Sequence, residues 1–301
     1  MKQKIDKINK ILKEYAKKSP ALFAFYTGNK KFRFPKHIRI LNKLLLDISS
    51  RKFKRLIVNM PPRHGKSELI TGNYPVWYIG NHPSHRVIVT CYCSHFAETF
   101  GRKGKNLFLE FGKSIFNLEL NPFSKSSRRF DINKHTGGID FVGVSGAITG
   151  KGADLYIIDD PIKNDAEAHS AHQRDKLWDW FNSTAYTRLE PNGIMIVVMT
   201  RWHEDDLCGR IKENNQVISL KDYLANNETL SDDLWVIASF PALAIENDEL
   251  GRSEGQALWS GKYPQKTIRS IEKNIGSYRF AGLYQQSPLP AKGSIFKRMY
   301  F

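Results

Sequence analysis

Apolar residues along the chain form two alternating patterns. In the first pattern, short continuous runs of apolar residues predict buried strands. In the segments between these runs, apolar residues recur every three or four positions, which is typical of helices. Strands that are apolar on both faces and alternate with helices indicate an α/β fold, a mostly parallel sheet covered by helices on both faces. The short runs that predict buried strands are RLIVNM (55–60), HRVIVTCY (85–92), ADLYIIDD (153–160), GIMIVVMT (193–200) and LWVIASF (234–240).

The helical pattern divides the chain into regions. Helices are predicted at 1–18, 35–50, 94–111, 170–189 and 204–214, and a further one opens at Gly65. The segment 121–138 is polar and predicts a loop or hairpin. From about residue 245 the pattern loosens, and 264–275 and 277–286 are helical. We therefore predict a basic helical region (1–50), a nucleotide-binding core (51–245), a small helical subdomain (246–290) and the start of a linker (291–301).

Charge is concentrated at the beginning of the chain. The formal net charge is +16, and residues 1–60 hold 17 basic and only 3 acidic residues. In the first helix Ile5, Ile8, Ile11, Leu12 and Tyr15 share one face, with lysines on the other. Three interpretations stay open: a solvated helix, contact with a polyanion such as DNA or an acidic protein surface, and a membrane-surface helix, which the few apolar anchors favour least.

Other features of the composition narrow the protein class. No apolar run approaches the roughly 20 residues that span a bilayer, and the lysine-rich beginning is unlike a secretory signal. A cytoplasmic setting is therefore predicted, without membrane insertion. Cys91, Cys93 and Cys208 suit neither a disulfide framework nor a zinc site, so we expect reduced, structural thiols.

The tripeptide Gly65-Lys66-Ser67 follows a predicted buried strand and opens a predicted helix. A phosphate-binding loop requires this order, because backbone N–H groups and the helix dipole then converge on the phosphates. Lys66 would reach the β- and γ-phosphates, and the Ser67 hydroxyl would hold Mg²⁺. The usual glycine five positions earlier is Met60, followed by two prolines. That glycine normally makes the turn out of the strand. Proline fixes its own φ at about −65° and can make the turn without a positive φ, so the altered loop is physically feasible.

Two further strands end in polar residues. The run Leu155–Ile158 delivers Asp159 and Asp160 to a strand end, which we expect directly beside the loop strand. There Asp159 would hold Mg²⁺ and Asp160 would polarise a water. The next strand ends in Thr200 and Arg201, which would sense the γ-phosphate; the alternative is a plain strand-to-helix junction whose acidic residues serve the helix dipole. No ligand cluster surrounds His64 or His203, so a metal role for them is disfavoured.

Five separated motifs together resemble the large subunit of tailed-phage or prophage terminases. They are PPRHGKSE (61–68), TGKGADLYIIDDPIK (149–163), WDWFNSTAYTRL (178–189), VVMTRWHEDDL (197–207) and YQQSP (284–288). The resemblance implies a RecA-like phosphate-loop ATPase that packages double-stranded DNA into a procapsid in the cytoplasm of the bacterial host. It implies ATP and Mg²⁺ as ligands, the portal protein and small terminase subunit as partners, and a homo-oligomeric ring on the portal.

The resemblance also implies roles for individual residues. Phosphate loops of this family often lack the first glycine and carry an arginine, for which Arg63 would be the counterpart. Asp160 would be the catalytic carboxylate, with Arg63 and Lys66 stabilising charge. Many members have glutamate at this position, and aspartate is one methylene shorter; Glu204 is a second, weaker candidate for the base. Thr200 and Arg201 would couple hydrolysis to movement, and Ser67 and Asp159 would hold the metal. The nucleotide would contact Pro62, Arg63, His64, Gly65, Lys66, Ser67 and Glu68.

Complete members of the family continue into a nuclease domain. After Glu254 the chain has a single acidic residue, Glu272, so a two-metal nuclease site is not expected from this chain. Two alternatives remain at this point. One is another DNA-stimulated phosphate-loop ATPase such as a helicase, which would need a second RecA-like domain. The other is a non-catalytic prophage remnant that binds DNA or a packaging partner.

Overall fold

The centre of the molecule is an eight-stranded sheet. The computed structural model describes residues 2–290 apart from 29, 125, 147, 149 and 227, and the predicted linker 291–301 lies outside the described residues. The strands are β1 (Arg55–Asn59), β2 (Arg86–Cys91), β3 (Arg129–Asp131), β4 (Gly138–Gly143), β5 (Ala153–Asp159), β6 (Leu189–Met199), β7 (Val217–Ser219) and β8 (Trp235–Ser239).

The sheet is almost entirely parallel. Its strand order is β3-β4-β2-β5-β6-β1-β8-β7, and β3 alone among the described strands pairs antiparallel, with β4. The predicted fold class is therefore confirmed, and the polar segment 121–138 contributes a hairpin as expected. One expectation about order is wrong: β5 does not lie beside β1, because β6 is inserted between them. Thr200 does follow the strand next to the acidic one.

Helices cover both faces of the sheet. The strands β4 and β7 and the helices α2, α6 and α9 lay outside the sequence-based prediction, whereas α5 matches its predicted range. The helices are α1 (Lys2–Lys18), α2 (Pro20–Thr27), α3 (Lys36–Ser49), α4 (Tyr74–Asn81), α5 (Ser94–Phe111), α6 (Asp165–His169), α7 (Ala171–Trp180), α8 (Leu207–Asn214), α9 (Leu220–Asn226), α10 (Gln265–Ile275) and α11 (Ser277–Leu283).

Side-chain alternation along the strands creates two cores. In β1, Leu56 and Val58 pack into the cluster that holds Phe23 of α2 and Leu41 of α3, whereas Ile57 faces the opposite cluster. That second cluster includes Leu177, Phe181 and Ile211 from the segments around α7 and α8. Because successive strand residues point to opposite faces, a fully apolar strand is buried on both sides. No helix in the described part of the chain is long and apolar enough to cross a bilayer.

The segment after β8 has a small core of its own. Ala242, Leu243, Ala257, Ile268 and Phe280 form this third cluster, which brings α10 and α11 together. An isolated antiparallel β-bridge between Leu243 and Ala257 holds together the two ends of the loop that connects them. The domain boundaries expected from the sequence stay a prediction.

Two glycines on α5 offer a matched test of how closely this helix packs. A Cβ added at Gly101 would lie 2.1 Å from the backbone carbonyl oxygen of Ser127, whereas at Gly104 the nearest atom is a Val76 methyl at 3.3 Å. Alanine raises helix propensity equally at both positions, by about 1 kcal/mol. We expect Gly101→Ala to lower the free energy of unfolding by about 1–3 kcal/mol, because backbone must move.

Urea unfolding followed by circular dichroism measures both variants. Gly104→Ala is the control and is expected to stay within about 1 kcal/mol of wild type, since a side-chain methyl can adjust. Equal effects at the two positions would contradict the close approach of α5 to Ser127.

Candidate functional site

The loop after β1 has an unusual backbone. Arg63 and Gly65 both have left-handed conformations, with φ of 60° and 98°. A side chain at position 65 would be strained at that φ and would also place its Cβ 3.1 Å from Cδ1 of Ile38. Gly65 is therefore required by the geometry of the loop. The turn out of the strand, where Met60, Pro61 and Pro62 stand, is made without a glycine.

Two buried histidines, His37 and His64, support this loop through hydrogen bonds to its backbone carbonyls. Nδ1 of His64 donates to the Pro62 carbonyl at 2.8 Å, and Nε2 of His37 donates to the His64 carbonyl at 3.0 Å. Burial lowers the pKa of each imidazole to about 4, so both are neutral near pH 7. The His64 ring stacks on Tyr263, with centroids 4.8 Å apart. His64, expected at the nucleotide, therefore contributes through its support of the loop.

Lys66 lies at the junction of three strand ends. Its Nζ is 2.6 Å from Oδ2 of Asp160 and donates to Oγ1 of Thr200, also at 2.6 Å. The Thr200 N–H donates to the other Asp160 oxygen at 2.8 Å, and its hydroxyl reaches the Met60 carbonyl at 3.3 Å. The residues that follow β1, β5 and β6 are thus joined through one ammonium group, which is almost fully buried.

Asp159, the residue before Asp160 in the sequence, is fully buried. Its carboxylate accepts hydrogen bonds from the Ser67 hydroxyl at 3.1 Å and from the Thr71 hydroxyl at 2.7 Å. Burial, with the nearby negative charge of Asp160, raises the pKa of Asp159 to about 7. Thr71 was missed by sequence reasoning; the only signal was its position four residues after Ser67, on the same helical face.

Asp160 adopts a strained backbone. Its φ is 42°, in the left-handed region that few non-glycine residues occupy, and its N–H donates to the Val198 carbonyl at 2.9 Å. This conformation turns the carboxylate away from the direction of β5 and toward Lys66 and Thr200. Strain of this kind persists only where the surrounding contacts fix it, and it is concentrated at functional sites.

These groups open into a cavity of about 510 Å³, a volume within the range that binds small molecules. Eight residues of its wall were not expected as site residues: Tyr92, Phe96, Ile162, Lys163, Trp202, Lys262, Tyr263 and Leu283. Lys262 also donates to the Arg63 carbonyl at 2.7 Å. The predicted site residues that line the cavity are Pro62, Arg63, Gly65, Lys66, Ser67, Glu68, Asp160 and Thr200.

Arg201 faces away from this cavity. Its guanidinium forms a buried ion pair with Asp206 at 2.8 Å and donates to the carbonyls of His203 and Glu204 at 3.2 and 3.1 Å. Asp206 in turn caps α8 by accepting the Gly209 N–H at 3.0 Å. Arg201 therefore holds the turn after β6 in shape. The Glu204 side chain is exposed and is not part of the cavity wall.

The fold is similar to solved phage proteins of low sequence identity. The large terminase ATPase domain of Thermus phage P74-26 matches with a TM-score of 0.54 and 14% identity, over 88% of this chain and 97% of that one. The large terminase of the thermophilic bacteriophage D6E matches with a TM-score of 0.50 and 10% identity, over 89% and 57%. The HK97 bacteriophage large terminase gives 0.48 and 13%, over 81% and 49%. The chain thus spans about half the length of the D6E and HK97 large terminases that it matches.

Sequence comparison gives the family directly. No curated protein sequence is similar to this chain. The family model described as "Terminase large subunit, T4likevirus-type, N-terminal" matches residues 57–301, which include the phosphate loop, the acidic strand end and the Thr200 turn. Because the match covers most of its length, the chain belongs to the N-terminal family of terminase large subunits of T4likevirus type.

Proposed function

We propose that this chain is the ATP-hydrolysing motor part of a terminase that packages double-stranded viral DNA into a procapsid. The observation that carries the proposal is the contact of Lys66 with both Asp160 and Thr200 at the base of a ligand-sized cavity. Family membership supports it independently. A binding-only remnant would not need all three groups at the same point. A helicase would need them too, and against it stands the match to the terminase family.

The phosphates of ATP would lie against the loop that opens at Pro62. Prolines 61 and 62 donate no N–H, so backbone donation starts at Arg63 and continues through Ser67. The exposed Arg63 side chain stands in the cavity wall, within the same chain, and is assigned to stabilise charge on the γ-phosphate. Lys66 is assigned to the β- and γ-phosphates, and Glu68 lies at the cavity edge.

The residues around Asp159 fit a magnesium ion. Mg²⁺ prefers oxygen ligands and is held in such sites by one or two protein oxygens together with substrate phosphates and water. The Asp159 carboxylate and Ser67 hydroxyl lie 3.1 Å apart at the base of the phosphate loop and would supply these protein oxygens. When bound, Mg²⁺ would neutralise charge on the β- and γ-phosphates.

Binding of ATP would redistribute the contacts of Lys66. As its ammonium moves to the phosphates, Oδ2 of Asp160 loses its cationic partner while Oδ1 keeps the Thr200 N–H. The freed oxygen can then accept a hydrogen bond from a water in line with the γ-phosphate. The water oxygen forms a bond to the γ-phosphorus as the bond from this phosphorus to the bridging oxygen of ADP breaks. One water proton passes to Asp160, which loses it again to solvent once the products have formed.

Thr200 would report these events to the rest of the molecule. Its hydroxyl loses the Lys66 hydrogen bond when the lysine engages phosphate, so the turn after β6 has different contacts with and without nucleotide. This supports the coupling role assigned to Thr200. In this proposal Arg201 contributes by holding the turn after β6 in shape through its ion pair with Asp206.

The partners are proposed from the family and from charge. Helix α1 exposes Lys10, Lys17 and Lys18, and also Ile8 and Tyr15, which are 46% and 55% exposed. A basic outer face of this kind suits a polyanion such as DNA. Assembly as a ring on a portal, with a small terminase subunit, in the cytoplasm of a bacterial host completes the proposal.

Asp160→Asn separates ATP binding from hydrolysis. The amide keeps the shape of the side chain but removes the charge that orients and deprotonates water. We expect Mg·ATP affinity within about threefold of wild type and kcat lowered by at least about 100-fold. Steady-state ATPase assays with and without double-stranded DNA, and binding of a fluorescent ATP analogue, measure the two effects.

Asp179→Asn, at an exposed position on α7, is the matched control and is expected to behave as wild type. Equal loss of binding and hydrolysis in Asp160→Asn would make the residue structural. Wild-type protein that binds ATP but never hydrolyses it, even with portal and small subunit added, would favour the remnant.

The lysines of α1 are tested by the salt dependence of DNA binding. Each phosphate contact contributes a slope of about −0.9 in a plot of log K against log salt concentration. Replacing Lys10, Lys17 and Lys18 together by glutamine is therefore expected to flatten the slope by about 2–3. Fluorescence anisotropy with a short duplex, over a series of salt concentrations, gives the slope.

A second triple variant controls for net charge. Lys212, Lys266 and Lys273 are exposed on α8 and α10, remote in sequence from α1, and their replacement by glutamine should leave the slope nearly unchanged. The same flattening in both variants would mean non-specific attraction. No flattening in the α1 variant would assign this helix to solvation or to contact with an acidic protein.

A further inference from the structure

The YQQSP motif has no part in the mechanism above, yet its second glutamine is buried and strained. Gln286 is 6% exposed and has a φ of 57°. Glycine would adopt this backbone at lower cost. A buried non-glycine residue in the left-handed region persists where its side chain contacts fix it, which directs attention to what the Gln286 amide binds.

Both ends of that amide are bonded. Its Oε1 accepts the backbone N–H of Arg201 at 3.3 Å, and its Nε2 donates to the Leu283 carbonyl at 2.7 Å. The preceding Gln285 makes a reciprocal pair of 3.0 Å hydrogen bonds with the backbone of Leu243. The two glutamines therefore attach the end of α11 to two different turns of the sheet, after β8 and after β6.

The attachment to the turn after β6 is close. A Cβ added at Gly282 would lie 3.0 Å from the Arg201 carbonyl oxygen, so the α11 backbone packs directly on this peptide. Arg201 is also fixed by its buried ion pair with Asp206. A turn held at these points would move as one body, so a change at its beginning would be carried to α11.

The beginning of that turn is Thr200, which contacts Lys66 and Asp160. From the other side, Leu283 of α11 lines the same cavity, and its carbonyl is the one that Gln286 binds. A short path thus runs from the Lys66 ammonium through Thr200 and the Arg201 peptide to Gln286 and α11.

We propose that Gln286 is a positioning residue that fixes the Arg201 peptide, and with it Thr200, and that relays nucleotide occupancy from Thr200 to helix α11. The relay rests on the proposed function, whereas the positioning does not. Movement of α11 would also move α10, because the two helices share a small hydrophobic core.

The first test needs no nucleotide. Gln286→Gly removes the amide while preserving a backbone that tolerates the left-handed φ. Hydrogen–deuterium exchange of the Arg201 amide is expected to be about tenfold faster in this variant, because its hydrogen-bond partner is gone. Asn247→Gly makes the same change at an exposed residue with a φ of 59° and should leave Arg201 unaffected.

Gln286→Glu, when its carboxyl is protonated, keeps an oxygen for the Arg201 N–H and an O–H for the Leu283 carbonyl. Arg201 exchange, corrected for the intrinsic rate, is therefore expected to become slow again in this variant as the pH is lowered, which a general loosening of the fold would not explain. Thermal unfolding of both variants establishes that they are folded. Arg201 exchange that is unchanged in Gln286→Gly would overturn the positioning role.

The second test measures the relay itself. In wild-type protein, a non-hydrolysable ATP analogue with Mg²⁺ is expected to change exchange in residues 277–286 as well as in 200–202. In Gln286→Gly the response at 200–202 should persist, with nucleotide affinity within about threefold, while the response at 277–286 is lost.

An undiminished response of 277–286 in Gln286→Gly would overturn the relay, as would an absent response in wild-type protein that binds the analogue. Wild-type protein that binds no nucleotide would reject the proposed function and the relay together. The comparison made without nucleotide would still decide whether Gln286 positions Arg201.

Discussion

A single ammonium group, Nζ of Lys66, holds the ends of three strands together. A buried positive charge is costly unless it is paired and hydrogen-bonded, and this one finds both requirements in Asp160 and Thr200. Removing either partner would leave the buried ammonium with one contact fewer. The phosphate loop, the acidic strand end and the turn after β6 are consequently one electrostatic unit, although Lys66 and Thr200 are 134 residues apart in the sequence.

The parallel sheet makes this unit possible, and strained backbone completes it. Because β1, β5 and β6 run in the same direction, the residues that follow them meet at one edge. Left-handed conformations at Arg63 and Asp160 then aim the chain into the cavity. Such conformations cost about 1–3 kcal/mol each, so the supporting histidines and the Val198 carbonyl are part of what the site requires.

The sequence predicted the strand ends but not their arrangement. Apolar runs followed by Gly65-Lys66-Ser67, by Asp159-Asp160 and by Thr200 were sufficient to place the polar groups at one edge of the sheet. They carry no information on strand order, which is why the insertion of β6 between β5 and β1 was not foreseen. Thr71 looked like an ordinary helical residue, and the roles of Tyr263, Lys262 and Leu283 depend on tertiary contacts that no local pattern records. Arg201 was expected at the nucleotide because it follows Thr200, whereas its buried pairing with Asp206 directs it away.

The cavity is complete only when the last part of the described chain packs against the loop. Tyr263 stacks on His64, Lys262 donates a hydrogen bond to the Arg63 carbonyl, and Leu283 lines the cavity. A ligand in the cavity would touch both sides and would favour the packed arrangement by its differential affinity for it. Occupancy of the cavity by a ligand and the position of α10 and α11 would therefore be linked by geometry before any specific residue transmits a signal.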